Sequence, residues 1–516
     1  VGDENYPDRG GNQSIMNIKR AKEEIKDTIE AYLLKDEYGA YEIPSVRQRP
    51  VLLIGPPGVG KTQIMEQISR ECEIGLVAYT ITHHTRQSAI GLPFIEHKNY
   101  GGKEYAVTEY TMSEIVASIY DKIEQTGLSE GLLFIDEINC VSETLAPTML
   151  QFLQGKTFGN HKIPQGWIIV AAGNPPEYNK SVREFDIVTM DRIRRMDVEA
   201  DLGVWMEYAV RANVHPAIRS YLGIRKENFC RIETTVDGRI FATPRGWEDL
   251  SELIWIYEKQ GKKVDRELVA EYIQFPKIAK DFANYLELYY KYQNDYQVAE
   301  ILDGKISEPV VEKLQKAPFD EKISVVGLLL SGLNDGFREV VRTQERMQIQ
   351  MKQMKELQMS GAFETFVVSA VRVFTEKVEA FRADWEKRLA DGLLARTTLS
   401  DCRAVSAKLE ADLQAVRSGD FANGAEAWEA IRKRFGADSD AYEDLVDQSG
   451  ARLEHAFDFM EATFGGSQEM VLFVTELNTG FYSVQFLQEY ECERYYEYNR
   501  NLLFSEEEKE IGKLLS

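Results

Sequence analysis

The sequence predicts an α/β fold, with a parallel sheet before about residue 200 and helices through the rest of the chain. Four short apolar runs, Val51–Ile54, Leu76–Ile81, Leu132–Ile135 and Ile168–Ala171, alternate with segments of helix length. Such runs are typical of parallel strands that are buried on both faces. From about Leu202 the strand signals stop and helical periodicity continues, so we expect the second part to be helical.

A helix is expected before the first strand. Its apolar residues recur at the spacing of one buried helix face: Ile15, Ile18, Ile25, Ile29 and Leu33. Residues 1–13 are polar and are read as a flexible lead.

The helical part carries three conspicuous apolar sets. One is a tyrosine-rich stretch over 250–296, and two are stripes at helical spacing, Met347, Met351, Met354, Leu357 and Phe374, Val378, Phe381, Trp385, Leu389. All three are expected to pack between helices. For the tyrosines the alternative is a stacking platform for nucleic acid, which would call for interleaved basic residues, and for the two stripes the alternative is a ligand site.

Charge and cysteine content exclude several classes of protein. The 516 residues include 61 Lys+Arg and 84 Asp+Glu, a net charge of −23, which disfavours binding to a phosphate backbone. The five cysteines lie far apart, which predicts neither a disulfide framework nor a zinc site and fits a reducing, cytoplasmic location. The longest apolar stretch, residues 323–333, is too short to span a bilayer.

A complete phosphate-binding loop follows the first strand. Its glycines let backbone N–H groups surround phosphate oxygens, Lys61 neutralises the β and γ phosphates, and the Thr62 hydroxyl ligates Mg²⁺. The strand before it and the helical pattern after it are the context that this motif requires. The loop reads Gly55-Pro56-Pro57-Gly58-Val59-Gly60-Lys61-Thr62.

An acidic pair ends the third predicted strand. Asp136 is expected to hold Mg²⁺ through water, and Glu137 to polarise the attacking water. An acidic pair alone is weak evidence, since helix starts also favour carboxylates. Its combination with a phosphate-binding loop on a neighbouring strand is strong evidence for a nucleotide site.

Three further polar groups complete the pattern. Asn174 follows the last strand, one strand along from Asp136, where its amide can reach the γ-phosphate or the water. Arg192 begins a cationic cluster that continues to Arg195. Arg245 lies in the first turn of a predicted helix, where it opposes the helix dipole and so calls for an anionic partner.

In this order, the phosphate-binding loop, Asp-Glu-Ile-Asn, Gly-Asn-Pro-Pro-Glu, Asp-Arg and Thr-Pro-Arg-Gly-Trp resemble the AAA+ ATPases of the MoxR type, in the clade with an insert in helix 2. The resemblance covers residues 15 to about 300. It implies Walker A for Gly55–Thr62, Walker B for Asp136 and Glu137, and sensor 1 for Asn174. It also implies an arginine finger for Arg192 and sensor 2 for Arg245.

The resemblance further implies ATP with Mg²⁺ and a homo-oligomeric ring, usually of six subunits. The nucleotide-binding domain would cover 14–200, with the helix-2 insert at about 87–114 and a hairpin at 155–167 before sensor 1. A helical lid would cover 201–306, and an acidic C-terminal helical domain 307–516. The family usually has Arg after Asp-Glu-Ile-Asn, whereas this chain has Cys140.

The residues and the resemblance together predict an ATP hydrolase that remodels or activates a protein partner, for which the family implies a von Willebrand A-domain protein. A nucleic-acid motor of the same clade is the rival, although the two hairpins carry as many acidic as basic residues. An ATP-gated scaffold without hydrolysis is the third possibility, disfavoured by the intact Lys61, Asp136 and Glu137. His83 and His84 are adjacent on the chain and poorly placed to share one metal ion.

Overall fold

A computed structural model describes residues 15–502 apart from 84–88, 90, 159, 179–181, 183, 184, 186, 237 and 365. The predicted lead at 1–13 lies outside the described residues. The chain divides into two compact units. Unit 1 comprises the residues up to Val204 together with Arg388–Ala395, and unit 2 comprises Trp205–Lys387 and the residues from Arg396 onward.

Unit 1 is built around a six-stranded parallel sheet. Its strands are β1 (Met16–Asn17), β2 (Val51–Ile54), β3 (Gly75–Thr80), β6 (Gly131–Asp136), β9 (Trp167–Gly173) and β10 (Arg194–Glu199), in the order β1-β10-β2-β9-β6-β3. The four predicted strands are confirmed, and β1 and β10 were missed. β10 was missed because its sequence, Arg-Arg-Met-Asp-Val-Glu, buries only Met196 and Val198 and reads as a charged segment.

Helices cover both faces of this sheet. On one face α1 (Ile18–Leu33) and α2 (Lys61–Glu71) pack against alternate strand residues in a core that includes Ile25, Met65 and Phe134. The predicted N-terminal helix is therefore confirmed, although Ile15 is exposed. On the other face α3 (Glu114–Thr126) and α4 (Ala146–Gly155) enclose a second core around Ile119 and Phe152. The short helix α5 (Ile187–Met190) precedes β10.

Two antiparallel hairpins lie outside the sheet. The first, β4 (Pro93–Tyr100) with β5 (Lys103–Tyr110), falls within the predicted helix-2 insert and is mostly exposed. The second, β7 (Thr157–Phe158) with β8 (His161–Lys162), falls in the hairpin predicted before sensor 1. His161 Nε2 lies 3.1 Å from Tyr110 O, so the two hairpins are in contact.

Unit 2 begins with short helices and contains one departure from the prediction. Its hairpin β11 (Arg231–Thr235) and β12 (Gly238–Ala242) lies in a region predicted to be all helical. β-branched residues favour these short strands, and Gly238 at φ 136° suits the turn between them. The helices are α6 (Leu202–Arg211, which starts in unit 1), α7 (Pro216–Ile224), α8 (Pro244–Lys259), α9 (Arg266–Tyr272), α10 (Pro276–Asp295), α11 (Val298–Leu302) and α12 (Glu308–Gln315).

Four long helices and two short ones follow. They are α13 (Phe319–Met359), α14 (Val367–Ala390), α15 (Arg396–Ser418), α16 (Gly424–Phe464), α17 (Gln468–Thr479) and α18 (Phe481–Glu489), and residues 493–502 are also helical. In the described residues no helix is long and apolar enough to cross a membrane. The structure thus has an α/β domain followed by a predominantly helical region, as predicted.

The predicted apolar sets pack mainly between helices. Tyr289 and Tyr296 are buried in the tyrosine-rich stretch, with Tyr285 packed 5.5 Å from the ring of Tyr221. From the two stripes, Met354, Leu357, Phe374 and Val378 share one core, whereas Met351 and Leu389 are partly exposed.

Candidate functional site

Apart from Arg192, the predicted site residues of unit 1 lie along the carboxyl edge of the sheet. Because the strands are parallel, the segments that follow β2, β9, β6 and β3 emerge at the same edge. The sequence predicted that the strand of the acidic pair neighbours the strand of the phosphate-binding loop. This is wrong, because β9 lies between β2 and β6. The strand that bears Asn174 therefore separates the two halves of the site.

Lys61 is held at the start of α2 by three oxygen atoms. Gly60 precedes it at φ 96°, a left-handed conformation that glycine adopts without strain. The buried Lys61 Nζ donates to Gly55 O at 2.8 Å, to Pro56 O at 2.9 Å and to Asn174 Oδ1 at 3.0 Å. The ammonium group thus lies inside the loop and links it to the end of β9.

The two predicted magnesium ligands are in contact. Thr62 Oγ1 donates to Asp136 Oδ2 at 3.2 Å. A hydroxyl and one carboxylate are a typical protein contribution to a Mg²⁺ site, because this ion keeps several waters and takes phosphate oxygens as further ligands. The residues present therefore fit a magnesium–nucleotide complex.

Glu137 is fixed by its backbone conformation and by a hydrogen bond from Thr82, which lies just after strand β3. It adopts φ 57°, a left-handed conformation that is uncommon for a residue other than glycine, and its backbone N–H donates to Asp136 Oδ1 at 2.8 Å. Its Oε2 accepts a hydrogen bond from Thr82 Oγ1 at 2.9 Å. Thr82 follows β3, so the carboxylate is turned toward that side of the sheet.

Asn139 holds the backbone of Asn174. The buried Asn139 side chain donates from Nδ2 to Asn174 O at 2.7 Å and accepts at Oδ1 from Asn174 N at 3.3 Å. A Cβ at Gly173 would lie 2.5 Å from Asn139 Oδ1, so only glycine leaves room for this clamp. The last residue of the Asp-Glu-Ile-Asn motif therefore positions the predicted sensor.

Arg192 lies at the opposite edge of the sheet from this cluster. It is exposed, precedes β10 and donates to Gln154 Oε1. Because Arg194 pairs in register with Val51, at the start of β2, Arg192 lies beyond the amino end of the strand whose other end carries the loop. Four residues of strand, at about 3.3 Å each, separate Arg192 from its own phosphate-binding loop.

The rest of the cationic cluster is structural. Arg194 donates to Thr28 and Glu24 of α1, and Arg195 donates to Asp197 within β10. These contacts leave Arg192 as the member of the cluster without a carboxylate partner among the described residues.

Arg245 lies in unit 2, in the first turn of α8. Thr243 caps this helix by accepting from Gly246 N at 3.2 Å, and Pro244 occupies the first turn. The Arg245 side chain is exposed and makes no ion pair with any described residue.

Other candidate chemistry is not supported. Within the described ranges no group of three or more His, Cys, Asp or Glu side chains could hold a metal ion, and His84 lies outside those ranges. Burial, with the nearby Glu137 and Asp136, raises the pKa of the Cys140 thiol, which keeps it protonated and poorly nucleophilic.

Sequence reasoning missed Thr82 and the role of Asn139. Thr82 carries no motif, and its contact with Glu137 depends on β3 lying beside β6. Asn139 belongs to the Asp-Glu-Ile-Asn motif, yet nothing in the sequence indicated that its side chain binds the backbone of Asn174, 35 residues further along the chain.

Comparisons with known proteins agree with this geometry. Residues 51–196 match the family model described as ATPase family associated with various cellular activities (AAA). A search of curated proteins found no match. The matched range contains the loop, the acidic pair, Asn174 and Arg192. The chain therefore contains an AAA ATPase domain at residues 51–196, followed by a helical region.

Proposed function

We propose that this protein is an ATP hydrolase of the AAA+ kind, works as a homo-oligomeric ring, and remodels or activates a protein partner in the manner of MoxR-type ATPases. The observation that carries the proposal is the convergence of Lys61, Asn174, Thr62, Asp136 and Glu137 at one edge of the sheet. These groups come from three separate segments of the chain, and each has the chemistry that its role requires.

Each group has a distinct role in the proposed reaction. Lys61 and the backbone of the loop bind the β and γ phosphates, and Thr62 with Asp136 holds Mg²⁺, which supplies charge neutralisation when it is bound. Glu137 accepts a proton from the attacking water, and Asn174 orients that water or the γ-phosphate through its amide.

The position of Arg192 supports a ring. An exposed arginine beyond the amino end of the strands cannot reach the phosphates bound at the carboxyl end of its own sheet. It can reach the nucleotide of a second copy that presents its loop to this edge. A finger supplied by a neighbouring subunit would make hydrolysis depend on assembly. Arg245, exposed at the start of α8, is proposed as the sensor 2 residue.

The partner is proposed to be a protein, with a von Willebrand A-domain protein as the class that the resemblance implies. A nucleic-acid motor would need cationic hairpins, yet Lys98 of β4 pairs with both Glu96 and Glu109. The five cysteines all lie in the described part of the chain and form no disulfide there, which suits the proposed reducing cytosol.

The first test measures ATP turnover and nucleotide affinity of Glu137→Gln. Loss of the carboxylate should lower kcat by about 10²–10⁴ and leave affinity for ATP nearly unchanged, because the phosphate contacts remain. Lys61→Ala is the matched variant that should lose affinity instead. Undiminished turnover in Glu137→Gln would contradict the assignment, and ATP binding without turnover in the wild-type protein would favour the scaffold.

The second test mixes two inactive variants. Arg192→Ala should bind ATP and hydrolyse it about 10³ times more slowly, if its guanidinium completes a neighbour's site. A mixture with Lys61→Ala should regain activity, since some interfaces then combine an intact loop with an intact arginine. Arg195→Ala, which loses a pair within β10, is the control and should keep its turnover. Absence of rescue in mixtures shown to co-assemble would refute action in trans.

The third test distinguishes the proposed partner class from nucleic acid. Glu137→Gln with ATP should capture a protein from its native cell and appear as a ring in electron micrographs. Single-stranded DNA and RNA should neither bind at physiological salt nor stimulate the ATPase, since an acidic chain repels polyanions. Saturable binding with stimulation would replace the protein partner by a nucleic acid.

A further inference from the structure

The two longest helices of unit 2 run antiparallel and share two apolar cores. Near one end, Gly336 of α13 lies against Ser449 of α16, within a region where Phe337 and Phe457 are buried. Near the other end, Leu357 of α13 shares a core with Ile431 of α16. We call these the proximal core and the distal core. Since α13 and α16 have 41 residues each, both helices run without a break from one core to the other.

A polar waist separates these cores. It consists of residues 342–353 of α13 and 432–448 of α16, all of which the structure describes. No apolar side chain is fully buried in either segment, although Ile349 of α13 and Phe435 of α16 pack, half-buried, against the distal core. The buried apolar residues that bound the waist are Val341 and Met354 on α13 and Ile431 and Leu453 on α16. Interlocked apolar side chains fix helices against one another, so the waist is held by fewer such contacts than either core.

Ion pairs replace apolar packing in the waist. Asp401 of α15 accepts from Arg342 at 2.8 Å and from Arg346 at 2.9 Å. Lys408 of α15 pairs with Asp438 of α16 at 2.7 Å. Asp401 is buried, but its two arginine partners and the Lys408–Asp438 pair are partly exposed, so these side chains can readjust with water when the backbone shifts slightly.

Several buried polar atoms of the waist lack a partner within the described part of the chain. Each such atom costs free energy relative to a hydrated one, which favours states in which water enters between the helices. The atoms are Arg342 Nε, Gln350 Nε2, Asp438 Oδ2 and Tyr442 OH.

The backbone of α16 is also weak at this level. Gly436 lies inside the helix, and a Cβ at this position would meet nothing within 4 Å, so close packing does not require glycine here. Asp438, Ser439 and Asp440 follow, all of which have low helix propensity.

We propose that unit 2 bends at the polar waist, so that the distal core moves as one piece relative to the proximal core. The missing apolar packing, the unpartnered polar atoms and the weak helix all occur at one level of the helices. The bend provides a conformational device in the helical region that is independent of the proposed ATPase activity.

Hydrogen exchange of the full-length protein tests the local opening. Amides at 434–448 should exchange at least about tenfold faster than amides at 453–463 of the same helix, because opening the waist disrupts less apolar packing than opening the proximal core. Equal protection along α16 would overturn the proposal. Gly436→Ala should slow exchange in the waist about two- to fivefold, the effect of replacing a helical glycine. Gly466→Ala, also in open space but beyond the helix end, is the control and should leave the waist unchanged.

A distance measurement tests the bend itself. Labels introduced by an unnatural amino acid at Arg372 of α14 and Glu312 of α12 report on the two sides of the waist, and both side chains are largely exposed. The wild-type distance distribution should be broad, and Gln350→Leu with Tyr442→Phe should narrow it by removing two unpartnered groups. A single narrow distance in the wild-type protein, unchanged by these substitutions, would show that the two cores form one rigid body and refute the proposal.

Discussion

The carboxyl edge of the sheet and the polar waist both concentrate polar side chains, but they treat them differently. At the sheet edge Lys61 has three oxygen acceptors, Thr62 contacts Asp136, and Glu137 accepts from Thr82. In the waist, ion pairs stand beside buried atoms that have no partner among the described residues. A fully partnered cluster holds its geometry, which catalysis needs, whereas a partly partnered one can rearrange at little cost.

The sheet edge and the waist also differ in backbone conformation. Glu137, a residue other than glycine, is held in a left-handed conformation directly after β6, so the site maintains a specific geometry. The waist is regular helix in which no apolar side chain is fully buried. Strain maintained by packing indicates rigidity, and regular structure without packing indicates mobility.

The largest expected effect concerns Asp401 of α15, the carboxylate that pairs with two arginines of the waist. Asp401→Ala should lower the free energy of unfolding by about 3 kcal/mol, because it leaves two guanidinium groups without their buried anion. Denaturant unfolding measures this change, with the exposed Asp384→Ala as the control. If the free energy of unfolding falls by less than about 1 kcal/mol, the waist readjusts even to the loss of this buried anion and is more adaptable than the contacts at Asp401 suggest.

The next effect concerns the clamp at the sheet edge. Asn139→Ala should reduce stability by about 2 kcal/mol, since it leaves the buried N–H and C=O of Asn174 unpartnered. Turnover should fall by about 10²-fold, because the Asn174 amide loses its position. Asn139→Asp keeps an acceptor for Asn174 N but places a second acceptor oxygen against Asn174 O at a buried position, so it should not restore the loss. Normal turnover in Asn139→Ala would show that the site does not depend on a fixed Asn174.

The smallest effect concerns Lys156 of unit 1, which, like the polar side chains of the waist, is buried. The Lys156 side chain is buried and donates to Gln48 Oε1 at 3.1 Å, and burial lowers its pKa to about 8. An unfolded lysine has a pKa near 10.4, so between these values the unfolded chain binds a proton that the folded protein does not, and stability rises with pH.

Lys156→Met should therefore be more stable than the wild-type protein near pH 7.5, and this advantage should shrink by about 2 kcal/mol at pH 9.5. Chemical denaturation at both pH values measures the difference. Lys103→Met, on an exposed strand, should show no such change. A constant difference between wild type and Lys156→Met would mean that Lys156 is hydrated.

The motifs allowed a nucleotide site to be predicted because its groups are tied to short segments. A phosphate-binding loop requires consecutive residues, so Gly55–Thr62 could be identified without a fold, and the apolar run before Asp136 placed the carboxylates at a strand end. Strand β10 was not predicted because Arg194 and Arg195 look like a binding cluster. Their carboxylate partners, Glu24 and Asp197, become evident only once the strand is paired in the sheet.

By itself the sequence determined the local chemistry: the loop, the acidic pair, Asn174, the parallel strands and the helical stripes. These depend on residue type and spacing, which act over a few residues. The tertiary structure decided which of them meet. It inserted β9 between β2 and β6, brought Thr82 to Glu137, placed Arg192 at the far edge of the sheet, and set the polar segments of α13 and α16 at one level. Contacts between distant segments depend on strand order and helix register, which no single segment of the sequence encodes.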